Sequence, residues 1–218
     1  MNKKTLIFSL IVVLLTFGLS LWAYPQLPEK AATHWGISGE ADGYGSREFA
    51  AFFMPAILAG LAALFYFLPR LDPLRQNWEQ FRKSYRVFVV TMMLFMAYVH
   101  VLSVLFNLGY DINISQLAFP AIGGLFIVLG YLMPSFKRNW FMGIRTPWTI
   151  SNEEVWNKTH QLGGKLFMLA GVLTLPGLIW PEVGFTLFMI GVVFAAIVPM
   201  GYSYWLYQKE EKAVSGKQ

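Results

Sequence analysis

The chain has 218 residues, 56% of them hydrophobic and 13% charged, and it contains no cysteine. A soluble domain of this length carries about a quarter charged residues, so a water-soluble globule is excluded. The missing thiols exclude disulfides, thiolate catalysis and cysteine-ligated metal. The formal net charge is +5, and membrane orientation accounts for that surplus without any contact to nucleic acid.

The apolar residues fall in blocks rather than one-sided stripes. A bilayer core about 30 Å thick takes roughly 20 apolar residues at about 1.5 Å each. Six stretches approach that length: 5–24, 49–68, 87–107, 114–133, 165–181 and 183–205. They predict an all-α integral membrane protein with six transmembrane helices. The fifth stretch is the weakest, because Lys165 opens it and Pro176-Gly177 interrupts it; a re-entrant segment is the alternative there. Lys3 and Lys4 resemble the start of a signal peptide, but no small-x-small site precedes Tyr24-Pro25, so residues 1–24 read as a retained span.

With the N-terminus inside, every lysine and arginine except Lys30 and Arg47 lies on the inner side, while the acidic residues divide evenly. Basic residues alone set topology, so both termini are expected in the cytoplasm. Interfacial aromatics agree: Trp22, Tyr24 and Trp180 at the outer border, Trp140, Trp205 and Tyr207 at the inner one.

Two connections carry information. The first is the outer loop 25–48. Pro25 and Pro28 end the first helix, Gly36, Gly39, Gly43 and Gly45 permit repeated turning, and Ser46 is the expected N-cap of the second helix. His34, Trp35, Gly39, Glu40, Asp42, Gly43 and Tyr44 form the candidate ligand-facing set. The plainer reading packs His34 and Trp35 on the membrane surface and leaves the carboxylates solvated. A calcium loop starting at Ser38 would need a bidentate glutamate at its twelfth position, where Phe49 stands. Zinc would need a second histidine or cysteine near His34. No metal is expected, and no cofactor.

The second connection is the inner loop 134–164. Ser151 followed by Glu154 matches a capping box, which starts a helix at Asn152. Val155, Trp156, Thr159 and Leu162 then share one face of a short juxtamembrane helix that can run on into the fifth span, and Gly163-Gly164 would weaken or bend it there. Trp140, Phe141, Ile144 and Trp148 are too apolar for a free loop and are expected to dip into the interface or cover the inner mouth of the bundle. Arg145 has two readings: a charge at the lipid phosphates, or a planar clamp on Glu153, Glu154 or helix-end carbonyls. Within the spans, His100 and Asn107 are the intramembrane polar candidates. Pro55, Pro120, Pro176 and Pro199 read as helix breaks, as transporters have, but no pair of matching breaks marks an inverted repeat. Enzyme signatures are absent: Gly36-Ile-Ser38-Gly39 is one residue short of a nucleophile elbow, and there is no His-Glu-x-x-His and no phosphate-binding glycine loop.

Taken together, the two loops resemble known families. Pro25-x-x-Pro28 followed by His34-Trp-Gly-x-x-Gly-Glu-x-Asp-Gly-Tyr44 resembles the DUF1648 membrane module. Gly143-Ile-Arg-Thr-Pro-Trp-Thr149, then Val155-Trp156 and Gly163-Gly164, resembles the signature of the SdpI family. The resemblance implies a DUF1648-like module over 1–68, a cytoplasmic linker and third span over 69–113, and an SdpI-like module over 114–218. Its inner-loop positions here are Asn139, Gly143, Arg145, Thr146, Pro147, Trp148 and Trp156. It further implies a multi-pass protein of a bacterial, Gram-positive cell membrane that gives immunity to a secreted killing-peptide toxin. Implied partners are that toxin, a cytoplasmic winged-helix repressor drawn to the membrane, and membrane lipids, with no direct nucleic-acid contact. The family supplies no catalytic residues. The alternatives are a transporter or export factor for a small or peptide substrate, and a metal-dependent membrane enzyme using His34, Glu40 and Asp42.

Overall fold

The computed structural model describes residues 2–215. Six of its helices are long and apolar enough to cross a membrane, and they belong to an all-α integral membrane protein. In chain order the elements are α1 (Lys3–Ala23), strands β1 (Lys30–Trp35) and β2 (Ala41–Ser46), α2 (Arg47–Leu71), α3 (Arg82–Asn107), α4 (Ile114–Leu132), a short α5 (Pro147–Ser151), α6 (Glu153–Val172) and α7 (Pro181–Ser215). Alternate crossings place the β-hairpin, residues 108–113 and residues 173–180 at one end of the bundle. Residues 72–81 and the segment 133–152 lie at the other, hereafter the signature end.

The outward faces are apolar. Leu14, Leu15, Phe194 and Ile197 are each more than half exposed, which fits a lipid solvent. Hydrophobic burial cannot draw helices together in that solvent, so close packing must. The α4–α6 contact shows how. A Cβ on Gly171 would meet the carbonyl oxygen of Gly123 at 2.6 Å, and one on Gly164 would meet that of Gly130 at 2.5 Å. The two glycine pairs, two helical turns apart, bring the backbones into contact. Gly163 lies over Ile144. α6 runs unbroken through Gly163-Gly164.

Three expectations change. Ser151 is not the cap of a helix beginning at Asn152: it ends α5, and Asn152 is itself the N-cap, its Oδ1 accepting from the amides of Glu154 and Val155. An asparagine offers the same short acceptor as serine, one residue later. The capping box lies upstream, between Thr146 and Thr149. The helix that Asn152 caps does run on into the fifth crossing, so that crossing spans Glu153–Leu178 rather than starting at Lys165. Finally, Pro55, Pro120 and Pro199 sit inside unbroken helices, and only Pro176 lies in an irregular turn. Membrane helices tolerate proline where neighbouring helices and local adjustment make up for the lost bond, so these three prolines give no transporter-like breaks.

Ser46 caps α2 as expected, accepting from the amide of Phe49. The outer loop itself is not merely a series of turns. It forms a two-stranded antiparallel hairpin, with Lys30 opposite Ser46, Ala32 opposite Tyr44 and Trp35 opposite Ala41, and irregularities at Thr33 and Asp42.

Candidate functional site

At the hairpin end, helices hold the loop by its main chain. Asn107, the last residue of α3, accepts from the Ala32 amide at 2.7 Å and donates to the Ala32 carbonyl at 2.9 Å. Its side-chain amide thus stands where a third strand's peptide group would. Asn113, the N-cap of α4, accepts from the Gln116 amide and donates to the Ser38 carbonyl at 2.9 Å. Ser115 Oγ donates to the Gly36 carbonyl at 3.0 Å. Gly39 has φ +88°, and any Cβ there would run into the Asn113 side chain, so both backbone and space require glycine.

The outward side chains are left accessible. His34 Nδ1 and Asp42 Oδ1 pair at 2.5 Å, with 74% and 54% of their side chains exposed. Gly43 lies opposite His34, where a Cβ would come 2.8 Å from that of His34. Tyr44 is exposed and lies under the Lys30 ammonium, and Glu40 is exposed at the hairpin's tip. Trp35 turns the other way and meets Phe106 edge-on at 5.4 Å. The hairpin thus joins His34 to Asp42 but does not gather Glu40 with them: among the described residues no three His, Asp or Glu side chains converge on a common metal position.

Beneath the hairpin, His100 is 1% exposed. Its Nε2 meets Ser20 Oγ at 2.9 Å, and Ser20 Oγ donates to the Ala51 carbonyl at 2.6 Å. This relay ties α1, α2 and α3 together.

At the signature end the segment grips itself. Asn139, fully buried, accepts from the amides of Phe141 and Met142 and donates to the carbonyls of Lys137 and Met142. Gly143 has φ +95° and lies directly against His160 Nε2, where no Cβ fits. His160 is the hub: Nε2 accepts from the Ile144 amide at 3.0 Å, and Nδ1 donates to the Trp156 carbonyl at 2.7 Å. An amide can only donate and a carbonyl only accept, so the ring carries its proton on Nδ1. Trp156 stacks on His160 with centroids 4.0 Å apart, and its Nε1 donates to the Phe136 carbonyl. Thr146 and Thr149 cap each other reciprocally; Thr149 also donates to the Ile144 carbonyl, and Thr146 to Ser203 on α7. Pro147 opens α5, and Trp148 packs on Tyr204 at 5.0 Å.

Arg145 pairs with neither Glu153 nor Glu154. It is exposed and donates to the Trp140 carbonyl at 2.6 Å, beside an open hollow that Trp140, Thr146 and Ser151 also line. Glu154 pairs instead with Lys158. The guanidinium on helix-end carbonyls is that of Arg138, which reaches those of Ile150 and Ser151 at 3.2 and 3.4 Å.

Several of these residues escape a sequence reading. His160 is one turn beyond Trp156, on the face already marked by Val155, Trp156 and Thr159, and that position was the available signal. Asp72 and Asn77 carried none. Asp72, 2% exposed, accepts from Trp78 Nε1 and the Trp140 amide, and Asn77 donates to the Arg138 carbonyl. They bind the linker before α3 to the signature segment.

Comparison with known proteins finds two families on this frame. Residues 11–59 match DUF1648, a domain of unknown function, and residues 135–203 match the SdpI/YfhL protein family. The chain is similar to the immunity protein SdpI of Bacillus subtilis (strain 168), at 27% identity over 209 residues, covering 95% of this chain and 97% of that protein. A 70-residue stretch is 36% identical to an uncharacterized protein of Archaeoglobus fulgidus, covering 32% of this chain and 38% of that one. No solved structure matches.

Proposed function

We propose that this chain, a member of the SdpI/YfhL family with an N-terminal DUF1648 module, is a non-enzymatic membrane immunity protein that protects its cell from a secreted antimicrobial peptide. The observation that carries the reading is the similarity, along 95% of the chain, to a protein named for immunity. The hairpin geometry supports it. A loop fixed by its main chain holds His34, Asp42 and Tyr44 accessible in one place, as a recognition surface requires. In this reading the hairpin end faces outward to the peptide. The signature end faces the cytoplasm, where the 134–164 segment offers a surface to a repressor. The excess of lysine and arginine at the signature end supports that orientation.

Expression in a peptide-sensitive strain raises survival against the matching peptide. A His34→Ala, Asp42→Ala double variant reaches the membrane at normal abundance and loses protection; full protection by it removes the hairpin surface from the mechanism. Orientation is read separately, because the chain has no cysteine. Ser38→Cys reacts with an impermeant maleimide in intact cells, and Ser151→Cys only after permeabilisation. The reverse pattern overturns the topology.

A further inference from the structure

At the signature end the stretch 140–145 contributes to two hollows of opposite character. One is the open hollow beside Arg145, about 560 Å³, lined by Trp140, Arg145, Thr146, Pro147, Ile150 and Ser151 together with Gly143. The other is a partly open pocket of about 250 Å³, lined by Phe88, Leu129, Met133, Phe141, Ile144 and Phe167 among others. Gly143 lines both.

The first hollow suits an anion. Arg145 is the one charged side chain in its lining, which holds no carboxylate. A guanidinium carries five N–H donors in a fixed fork. Among the described residues Arg145 spends Nη1 on the Trp140 carbonyl and has no acidic partner, so the rest of the fork is left on an exposed side chain that lines the hollow. The wall's own carbonyls offer little competition. That of Trp140 accepts from Arg145, and those of Ile150 and Ser151 accept from Arg138 Nη1. An arriving anion therefore meets one guanidinium directly, with a second bonded to the wall.

The second pocket has no charged side chain in its lining. Phe88, Leu129 and Met133 belong to the third and fourth crossings, whereas Arg145 lies outside every crossing. An apolar pocket within the crossings and a guanidinium just beyond them follow the order of acyl chain and phosphate in a phospholipid. Trp140, half exposed, stands at the same border, where an indole suits the headgroup level.

We propose that the signature end binds one anionic phospholipid of its own leaflet, with the headgroup phosphate on Arg145 and an acyl chain in the pocket lined by Phe88, Leu129 and Phe141. The forked guanidinium matches phosphate oxygens. A free phosphate uses Arg145 and leaves the apolar pocket without a guest, and a zwitterionic lipid brings its own cation to the guanidinium. The site is also narrower than the general pull of basic segments on an anionic surface, because it depends on one particular arginine. It stands apart from the immunity reading and from the side of the membrane on which this end lies.

The test uses the full chain in neutral detergent, titrated with dioctanoyl phosphatidylglycerol and followed by native mass spectrometry. One lipid binds per chain, saturably, and dioctanoyl phosphatidylcholine binds more weakly. Arg145→Gln weakens phosphatidylglycerol binding about tenfold, the loss of a charge-assisted bond. Arg75→Gln, which removes an exposed charge from the same end of the bundle but outside the hollow, leaves binding unchanged. A phosphatidylglycerol with a diazirine in its acyl chain crosslinks to Met133, Phe141 or Phe167. Equal affinity for the two lipids, or equal losses in the two variants, overturns the proposal and leaves a diffuse surface charge. Displacement of the lipid by glycerol phosphate at matching concentration overturns it in favour of a soluble anion. Crosslinks spread over the outward faces of α1 and α7 overturn the placement of the chain.

Discussion

The two ends of the bundle use the same device with opposite ownership. At the hairpin end, helix side chains grip a loop's main chain: Asn107, Asn113 and Ser115 belong to α3 and α4, and what they hold is Ala32, Ser38 and Gly36. At the signature end the loop supplies most of its own grip, through Asn139, Thr146 and Thr149, and closes on His160 of the crossing that follows. A loop held from outside can be released as a unit while the helices stand. A loop that holds itself against the start of a crossing cannot be released without unravelling that crossing.

The sharpest test of this contrast is Gly143→Ala. The residue needs a left-handed backbone and its Cβ would enter the His160 ring position, so we expect a loss of about 3 kcal/mol or more and poor recovery of folded protein from detergent. A stability near wild type would mean that the signature end is looser than its geometry implies. Next comes Asn107→Ala, which strips both main-chain bonds from Ala32 at a cost of about 2 kcal/mol. Its effect should be local: hydrogen exchange rises at Ala32 and protease cuts the hairpin, while the amides of α6 keep their protection. Faster exchange in α6 would show that the ends are coupled. Thr146→Val removes a helix cap and the bond to Ser203 together, for about 1–2 kcal/mol, read as a lower Tm in detergent. Smallest is Arg145→Lys. It is exposed and makes one carbonyl bond that lysine can also make, so stability falls by less than about 0.5 kcal/mol. Arg138→Lys, which disturbs two carbonyl bonds made by one nitrogen, Nη1, should cost more; the reverse order would reinstate Arg145 as the clamp.

The six crossings were legible because bilayer thickness sets a length that few other structures need, and the Ser46 cap because its signal is local. The hairpin was not. Lys30–Trp35 and Ala41–Ser46 lack the alternation of a self-sufficient strand pair, and the grip on their register comes from Asn107, more than 70 positions away. The start of α6 was misread by one residue, since Ser151 and Asn152 are both good caps and only tertiary packing chooses between them. Individual contacts were less legible than the positions that stand out in the two loops. Arg138 takes the clamp foreseen for Arg145, and Gly143 was noticed as a motif letter rather than as the seat of His160. Long-range partners of this kind leave no periodicity to read.

The hairpin's attachment has a consequence for how such a surface can change. Asn107, Asn113 and Ser115 all bond to peptide groups, which every residue shares, and none of them bonds to a hairpin side chain. Apart from the glycines, the buried Ala31 and Ala32, and Trp35 against Phe106, the mount is blind to what it carries. Residues at 34, 37, 38, 40, 42 and 44 can be exchanged without loosening it. Related chains can therefore diversify these positions on an unaltered frame, as a socket accepts interchangeable heads.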